Sequence, residues 1–272
     1  MSPPLPPLGV AHFSCIEERP ADFVRMAAEA GFGFVGLRLH PAFPGAPVYP
    51  LPVGSAELRE TREALRLAGL AVYDIEFVVI DGDFAPSALA GVIETAAELG
   101  AKRLSVCGDD PDRERFIDNI SALAGMAEVA GLGIDLEIMP WRRIGTLAAA
   151  VGAVQSTGMQ NVGILVDALH LARSGSAPAD LSGLPEGLIR SVQLCDARAE
   201  RPTDHAGLIA EARGGRLLPG QGTLPLTELV RIVPPDATLS VEVPKGRGPG
   251  PGHLRALFET ASSVLEAKRP TS

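Results

Sequence analysis

The sequence predicts an α/β chain that closes into a single-domain (β/α)8 barrel, the TIM barrel, over residues 1–272. Three observations predict it. A helix-like run closes on Gly and gives way at once to an aliphatic run at EAGFGFVGL, LAGLAVYDI, ELGAKRLSV, VAGLGIDLEI and STGMQNVGILV, whose glycines Gly31, Gly69, Gly100, Gly131 and Gly158 stand 38, 31, 31 and 27 residues apart. Gly just past a helix end supplies the left-handed conformation that satisfies the last carbonyls, and about 30 residues is the length of a βα unit. The aliphatic runs are apolar at both parities, as parallel strands covered on both faces are. The joints are also asymmetric: helix-to-strand joints are short, whereas several strand-to-helix joints are long and rich in Pro and Gly. In a barrel those long joints all rise from the C-terminal face, where sites of this fold lie.

In chain order the first candidate strand is Val10–Ser14, after the segment MSPPLPPLG. Phe34–Leu39 follows Gly31 and leads into the joint HPAFPGAPVYPLPVG. Ala71–Phe77 follows Gly69, and Arg103–Cys107 follows Gly100; the next stretch, DDPDRERFIDN, reads as a helix start with Asp110 before Pro111 as its cap. Ile134–Ile138 and Val162–Asp167 follow Gly131 and Gly158. Ser191–Cys195 and Leu239–Val243 complete eight strands, with long joints from Asp196 to Gly222 and through PKGRGPGPG. No GxGxxG opens a helix, which argues against an open dinucleotide-binding sheet.

Composition narrows the function classes. Lys and Arg total 24 against 33 for Asp and Glu, a net charge of −9 that disfavours nucleic acid and anionic membrane as partners. The three cysteines, Cys15, Cys107 and Cys195, are far apart and odd in number, so they form neither a disulfide framework nor a zinc knuckle. The N-terminus lacks the basic and apolar regions of a secretory signal, and no stretch approaches the roughly 18 apolar residues of a bilayer span. A cytoplasmic protein with a small-molecule substrate is expected, and a homodimer is compatible with the sequence.

Four polar residues interrupt the aliphatic runs at strand ends: Glu137 in DLEIMPW, Asp167 in ILVDALH, Gln193 in SVQLCD and Glu242 in LSVEVP. Burying these carboxylates unpartnered would cost several kcal/mol each, so a cation is expected among them. Side chains from four consecutive strands converge above the barrel axis, and an oxygen-dominated set suits one divalent ion, Mn²⁺, Mg²⁺ or Co²⁺ before Zn²⁺. The plainer alternative is three carboxylates paired with barrel-top arginines. His170 is either a group facing the substrate or a packed, satisfied histidine. Arg38, His40, Arg213 and Arg216 are candidates for gripping a substrate carboxylate or phosphate; otherwise they cap helices or pair with Glu211. Trp141 is a candidate wall for the substrate or a loop anchor, and Glu76 and His12 end strands on the same face.

These segments resemble the xylose isomerase-like barrel superfamily, the sugar phosphate isomerases and epimerases, from SCIEERPADFVRMAAEAGFGFVGLRL to LSVEVP. The resemblance implies one divalent metal on Glu137, Asp167, Gln193 and Glu242, with Glu137 and Glu242 as acid and base. The chain is thereby expected to be a metal-dependent sugar isomerase or epimerase acting through an enediolate. Gln193 stands where many ketose epimerases have His, and where hydroxypyruvate isomerases, inosose dehydratases and 3-dehydroshikimate dehydratases have Gln; a dehydratase, a lyase, is therefore the close alternative. Abasic-site endonucleases share the barrel but need a histidine-rich metal cluster, and only His12, His40, His170, His205 and His253 are present. A non-catalytic binding barrel would show missing ligands, and none of the three carboxylates is missing.

Overall fold

The protein is described by a computed structural model over residues 6–245 and 250–267. Eight parallel strands close in sequence order, β1 (Leu8–Val10), β2 (Phe34–Arg38), β3 (Ala71–Ile80), β4 (Arg103–Gly108), β5 (Gly133–Glu137), β6 (Val162–Asp167), β7 (Ile189–Leu194) and β8 (Thr238–Val241), with β8 pairing back onto β1. Outside them lie α1 (Pro20–Ala30), α2 (Ala56–Ala68), α3 (Ala90–Glu98), α4 (Arg113–Val129), α5 (Leu147–Thr157), α6 (Ala168–Arg173), α7 (His205–Ala210), α8 (Leu226–Ile232) and α9 (Gly250–Ala267). The five marker glycines all have positive φ, from 62° to 105°, at the turns between helix and strand. No helix among the described residues is long and apolar enough to cross a membrane.

Several boundaries differ from expectation. The first strand is Leu8–Val10 and not Val10–Ser14, because His12–Cys15 coil into a 3-10 turn that brings Phe13 to the cavity at the barrel mouth. β3 runs on to Ile80, and β8 stops at Val241, so Glu242 follows the strand while its N–H still donates to the Leu194 carbonyl at 3.1 Å. The cap of α4 is Asp112, not Asp110: its carboxylate accepts from the N–H groups of Glu114 and Arg115, and Asp110 instead pairs with Arg115. Part of the joint PKGRGPGPG, residues 246–249, and part of the first segment MSPPLPPLG, residues 1–5, lie outside the described residues.

The apolar core lies between strands and helices, where Val35, Ile75, Val106, Leu136, Ile164 and Val192 pack with Phe23, Phe116, Ile120 and Leu257, all buried. The barrel interior, by contrast, is polar. Ser105 Oγ donates to Asp74 Oδ2 at 2.7 Å, Ser191 Oγ donates to Asp135 Oδ2 at 2.7 Å, and Arg103 Nε donates to Asp135 Oδ1 at 2.7 Å. Gly36 makes room for this layer, since a Cβ there would stand 2.6 Å from both Asp74 Oδ1 and Glu76 Oε1.

Burial, reinforced by the Glu76 charge, pushes the Asp74 carboxyl from its ordinary 3.8 up to about 8. The folded state then keeps a proton between those values that the unfolded chain gives up. The stability this contributes is complete below the lower value and is lost as pH rises through the upper. Asp74→Asn, which copies the protonated form, is expected to lose less stability than the native protein between pH 5 and pH 9, by several kcal/mol in urea titrations. Parallel pH profiles would rule the proton out.

Candidate active site

The candidate residues meet at the C-terminal mouth of the barrel. Asp167 ends β6 and caps α6, accepting the His170 N–H on Oδ1 at 2.9 Å. This cap is why the DALH segment works as a unit: the carboxylate that ends the strand starts the helix and sets His170 one turn above itself. Glu137 ends β5, and its Oε1 lies 3.6 Å from His170 Nε2. One ligand atom each from Glu137, Asp167 and His170 fall within 4.8 Å of one another. All three residues are buried.

The cation that the structure places among the carboxylates is Arg216. Its Nη1 donates to Asp167 Oδ2 at 2.5 Å, its Nη2 lies 2.9 Å from Glu242 Oε2, and its Nε donates to the Ala212 carbonyl at 3.0 Å. Arg216 thus belongs to the acidic cluster and does not stand free to grip a substrate anion by itself. Nor does Glu211 pair with Arg213 or Arg216, because Arg173 holds it at 2.8 and 2.7 Å from α6.

One guanidinium does not balance three carboxylates. Burial raises the Glu137 carboxyl well above its usual range, and the charges of Glu242 and Asp167 raise it further. Burial lifts Glu242 to about 7 against the pull of Arg216. Asp167 goes the other way: burial would raise it, but Arg216, His170 and their hydrogen bonds together hold it below its usual range. Burial lowers His170 to about 4, so its ring is neutral at physiological pH, and its Nδ1 has no partner among the described residues. Among the described residues no hydrogen-bond donor reaches the Glu137 carboxylate. Such a set of oxygens around a neutral imidazole, with surplus negative charge, fits a divalent cation.

The remaining candidates divide. Gln193 on β7 is buried and stands in register with Asp167 and Ser240, but it does not line the cavity above the cluster. Glu76 lies beneath that cavity, where it accepts Arg38 Nη2 at 3.1 Å and the His12 N–H at 2.6 Å. Arg38 does line it, its guanidinium 5.1 Å from the ring centres of both Phe13 and Phe77. His12 is a packed histidine, stacked on Phe23 at 4.6 Å with Nε2 at 2.9 Å from the Glu18 carbonyl. His40 is half-buried and is not brought to the cavity. Trp141 lines it and meets His170 edge-on at 5.1 Å, so it both walls the cavity and fixes the imidazole. Arg213 lines the mouth over the Phe43 ring, 4.2 Å from its centre. Sequence reasoning missed Arg142, Phe13, Phe43 and Phe77; for Arg142 the signal was its place beside Trp141 above β5.

The loop that delivers Arg216 is built on Asp196. Its Oδ1 accepts from the Ala197 and Leu224 N–H groups at 2.9 Å each and its Oδ2 from Gly220 N–H at 3.0 Å. Gly222 packs so closely that a Cβ would collide with the Ala197 carbonyl and the Asp196 carboxylate. Gly222→Ala is expected to cost about 1–3 kcal/mol of stability in chemical denaturation; unchanged stability would show that the turn yields freely.

The profile of the family described as xylose isomerase-like TIM barrel matches residues 24–266. A relative from Pseudomonas aeruginosa, 3-dehydroshikimate dehydratase, is 29% identical over 131 residues, a match that takes in 46% of this chain and 20% of that protein. Among solved structures, a xylose isomerase-like TIM barrel/4-hydroxyphenylpyruvate dioxygenase fusion protein superposes with TM-score 0.79 at 20% identity over 97% of this chain and 43% of its own. IolI, solved with a bound zinc atom, gives 0.78 at 17% identity, covering 98% of this chain and all 100% of its own. The 3-keto-D-glucoside 4-epimerase YcjR from E. coli gives 0.71 at 18% identity, covering 95% and 98%. At these identities the structural likenesses show a shared fold.

Proposed function

Because the chain belongs to the xylose isomerase-like TIM barrel family, we propose that it is a divalent-metal-dependent isomerase or epimerase of a small polyhydroxylated carbonyl compound, a sugar or keto acid. The observation that carries this is the pair Glu137 and Glu242, delivered from β5 and from the end of β8 to one cavity over Asp167 and His170. Glu137, Asp167, Gln193 and Glu242 would hold the ion, with His170 close enough to join them; an imidazole in the set suits Mn²⁺, Co²⁺ or Zn²⁺ better than Mg²⁺. A bound ion polarises a carbonyl and its neighbouring hydroxyl and so acidifies the adjacent C–H.

The residues of the chain divide the remaining work. One glutamate removes the proton beside the carbonyl, and the other returns a proton to the opposite face or to the neighbouring carbon. Arg216 keeps Asp167 charged and holds Glu242 in place. Trp141, Phe13 and Phe77 exclude water from the developing charge. Dehydration is the second reading, favoured by the 29% identity to a 3-dehydroshikimate dehydratase; there the second carboxyl protonates a departing β-hydroxyl.

Mass spectrometry of metal-loaded protein with a panel of ketoses, inososes and cyclic keto acids tests both readings. Isomerisation conserves mass, and dehydration removes one water and creates an ultraviolet-absorbing conjugated product. A panel with neither change would set the enzyme reading aside. Elemental analysis after dialysis against Mn²⁺ is expected to find about one ion per chain, with less retained in Glu242→Gln; native protein that retains none would remove the metal from the proposal.

A further inference from the structure

We propose that Arg142 and Arg213 form a subsite for a carboxylate on the substrate, so that the compound turned over is a small hydroxylated keto acid and not a neutral sugar. The inference rests on the active-site reading above and narrows its substrate class. Both guanidiniums line the same cavity as Glu137, Glu242 and His170. The other two arginines of that cavity are neutralised within the protein, Arg38 by Glu76 and Arg216 by Asp167 and Glu242.

Arg142 and Arg213 share one carboxylate between them. Arg142 Nη1 bonds Asp109 Oδ2 at 2.6 Å, and its Nε, like that of Arg38, is buried with no partner among the described residues. Arg213 meets no carboxylate at ion-pair distance among the described residues, and the acid two positions before it, Glu211, is taken by Arg173. Burial and the nearby charge of Arg142 both disfavour the Arg213 cation. Two guanidiniums held near each other over one carboxylate leave positive charge that an anion entering the cavity would balance.

The charge of the subsite points to a carboxylate over a phosphate. Guanidinium forks match either anion, but two guanidiniums against Asp109 leave one positive charge, which a carboxylate balances and a phosphate monoester, carrying nearly two negative charges, exceeds. Among the described residues no glycine lines the cavity.

Calorimetric titration of the native protein, Arg213→Ala, Arg213→Lys and Arg142→Gln with shikimate, methyl shikimate and inorganic phosphate tests the subsite. Shikimate is expected to bind the native protein about tenfold or more tightly than its ester, and each neutralising variant to lose about tenfold for the acid and nothing for the ester. Arg213→Lys is expected to recover part of that loss. Arg213 is exposed, so its variants are expected to keep the fold, which circular dichroism checks. Equal binding of acid and ester, no binding of either to the native protein, tighter binding of phosphate, or an unaffected Arg213→Ala would overturn the proposal. Binding is read without turnover, which separates the two claims: a protein that takes the acid through Arg213 yet transforms no compound keeps the subsite and loses the reaction. One that turns over neutral ketoses and ignores the acid does the reverse.

Discussion

Glu137→Gln is expected to lower turnover by about 10²–10⁴-fold, the usual worth of a positioned acid or base, and to weaken retention of a divalent ion. Glutamine keeps the shape of the side chain but carries neither the charge nor a transferable proton. Stability of the metal-free protein is expected to move the other way. Glu137 is buried beside Glu242 and Asp167, and its carboxyl is raised above the ordinary range by burial and by those charges. A carboxyl raised in the folded state costs stability as pH rises through its folded value, because the native protein must then hold a charge it opposes. Metal-free Glu137→Gln should therefore resist urea better than the native protein at pH 8 and match it at pH 4. A variant that keeps native turnover on an identified substrate would remove Glu137 from the chemistry, and one that is less stable at pH 8 would show that the charge has a partner.

Arg216→Met carries the second large effect. The side chain is of similar length and apolar, yet it strands Asp167 and Glu242 in a buried site, and breaking a buried pair from one side costs about 3–5 kcal/mol. Metal-free variant is expected to unfold at markedly lower urea concentration than the native protein. Mn²⁺ should restore more stability to the variant than it adds to the native protein, since a divalent ion replaces the lost positive charge by binding the folded state. Equal shifts in the two proteins would mean that guanidinium and ion act on separate carboxylates. A variant as stable as the native protein without metal would mean that Asp167 has other support.

The DALH segment shows how far a local pattern reaches. Asp167 at the strand end, the cap it makes and His170 one turn later all follow from spacing of three residues, and the structure holds them at 2.9 Å. The five Gly-terminated joints are of the same kind, because a left-handed turn is a property of one residue and its immediate neighbours. Strand one differs for the opposite reason: Val10–Ser14 reads as extended in isolation, but His12 and Phe13 donate their N–H groups to Glu76, 64 and 63 residues away, and coil to do so.

Arg216 marks the limit. It reaches Asp167 from 49 residues along the chain, out of a glycine-rich joint with no periodic signal, and it was one of four basic candidates with nothing to single it out. His40, another of those four, is left outside the cavity, and Arg142, not among them, is brought into it. Periodicity, caps and a polar residue in an apolar run are local facts, and they suffice for the barrel and for Glu137 and Asp167 at the ends of their strands. Which arginine meets Asp167 and Glu242, which glutamate accepts no hydrogen bond and which arginine meets no carboxylate among the described residues depend on the tertiary structure alone. Electrostatic pairing depends on distance in space, and for residues on long joints separation along the chain carries almost no information about it.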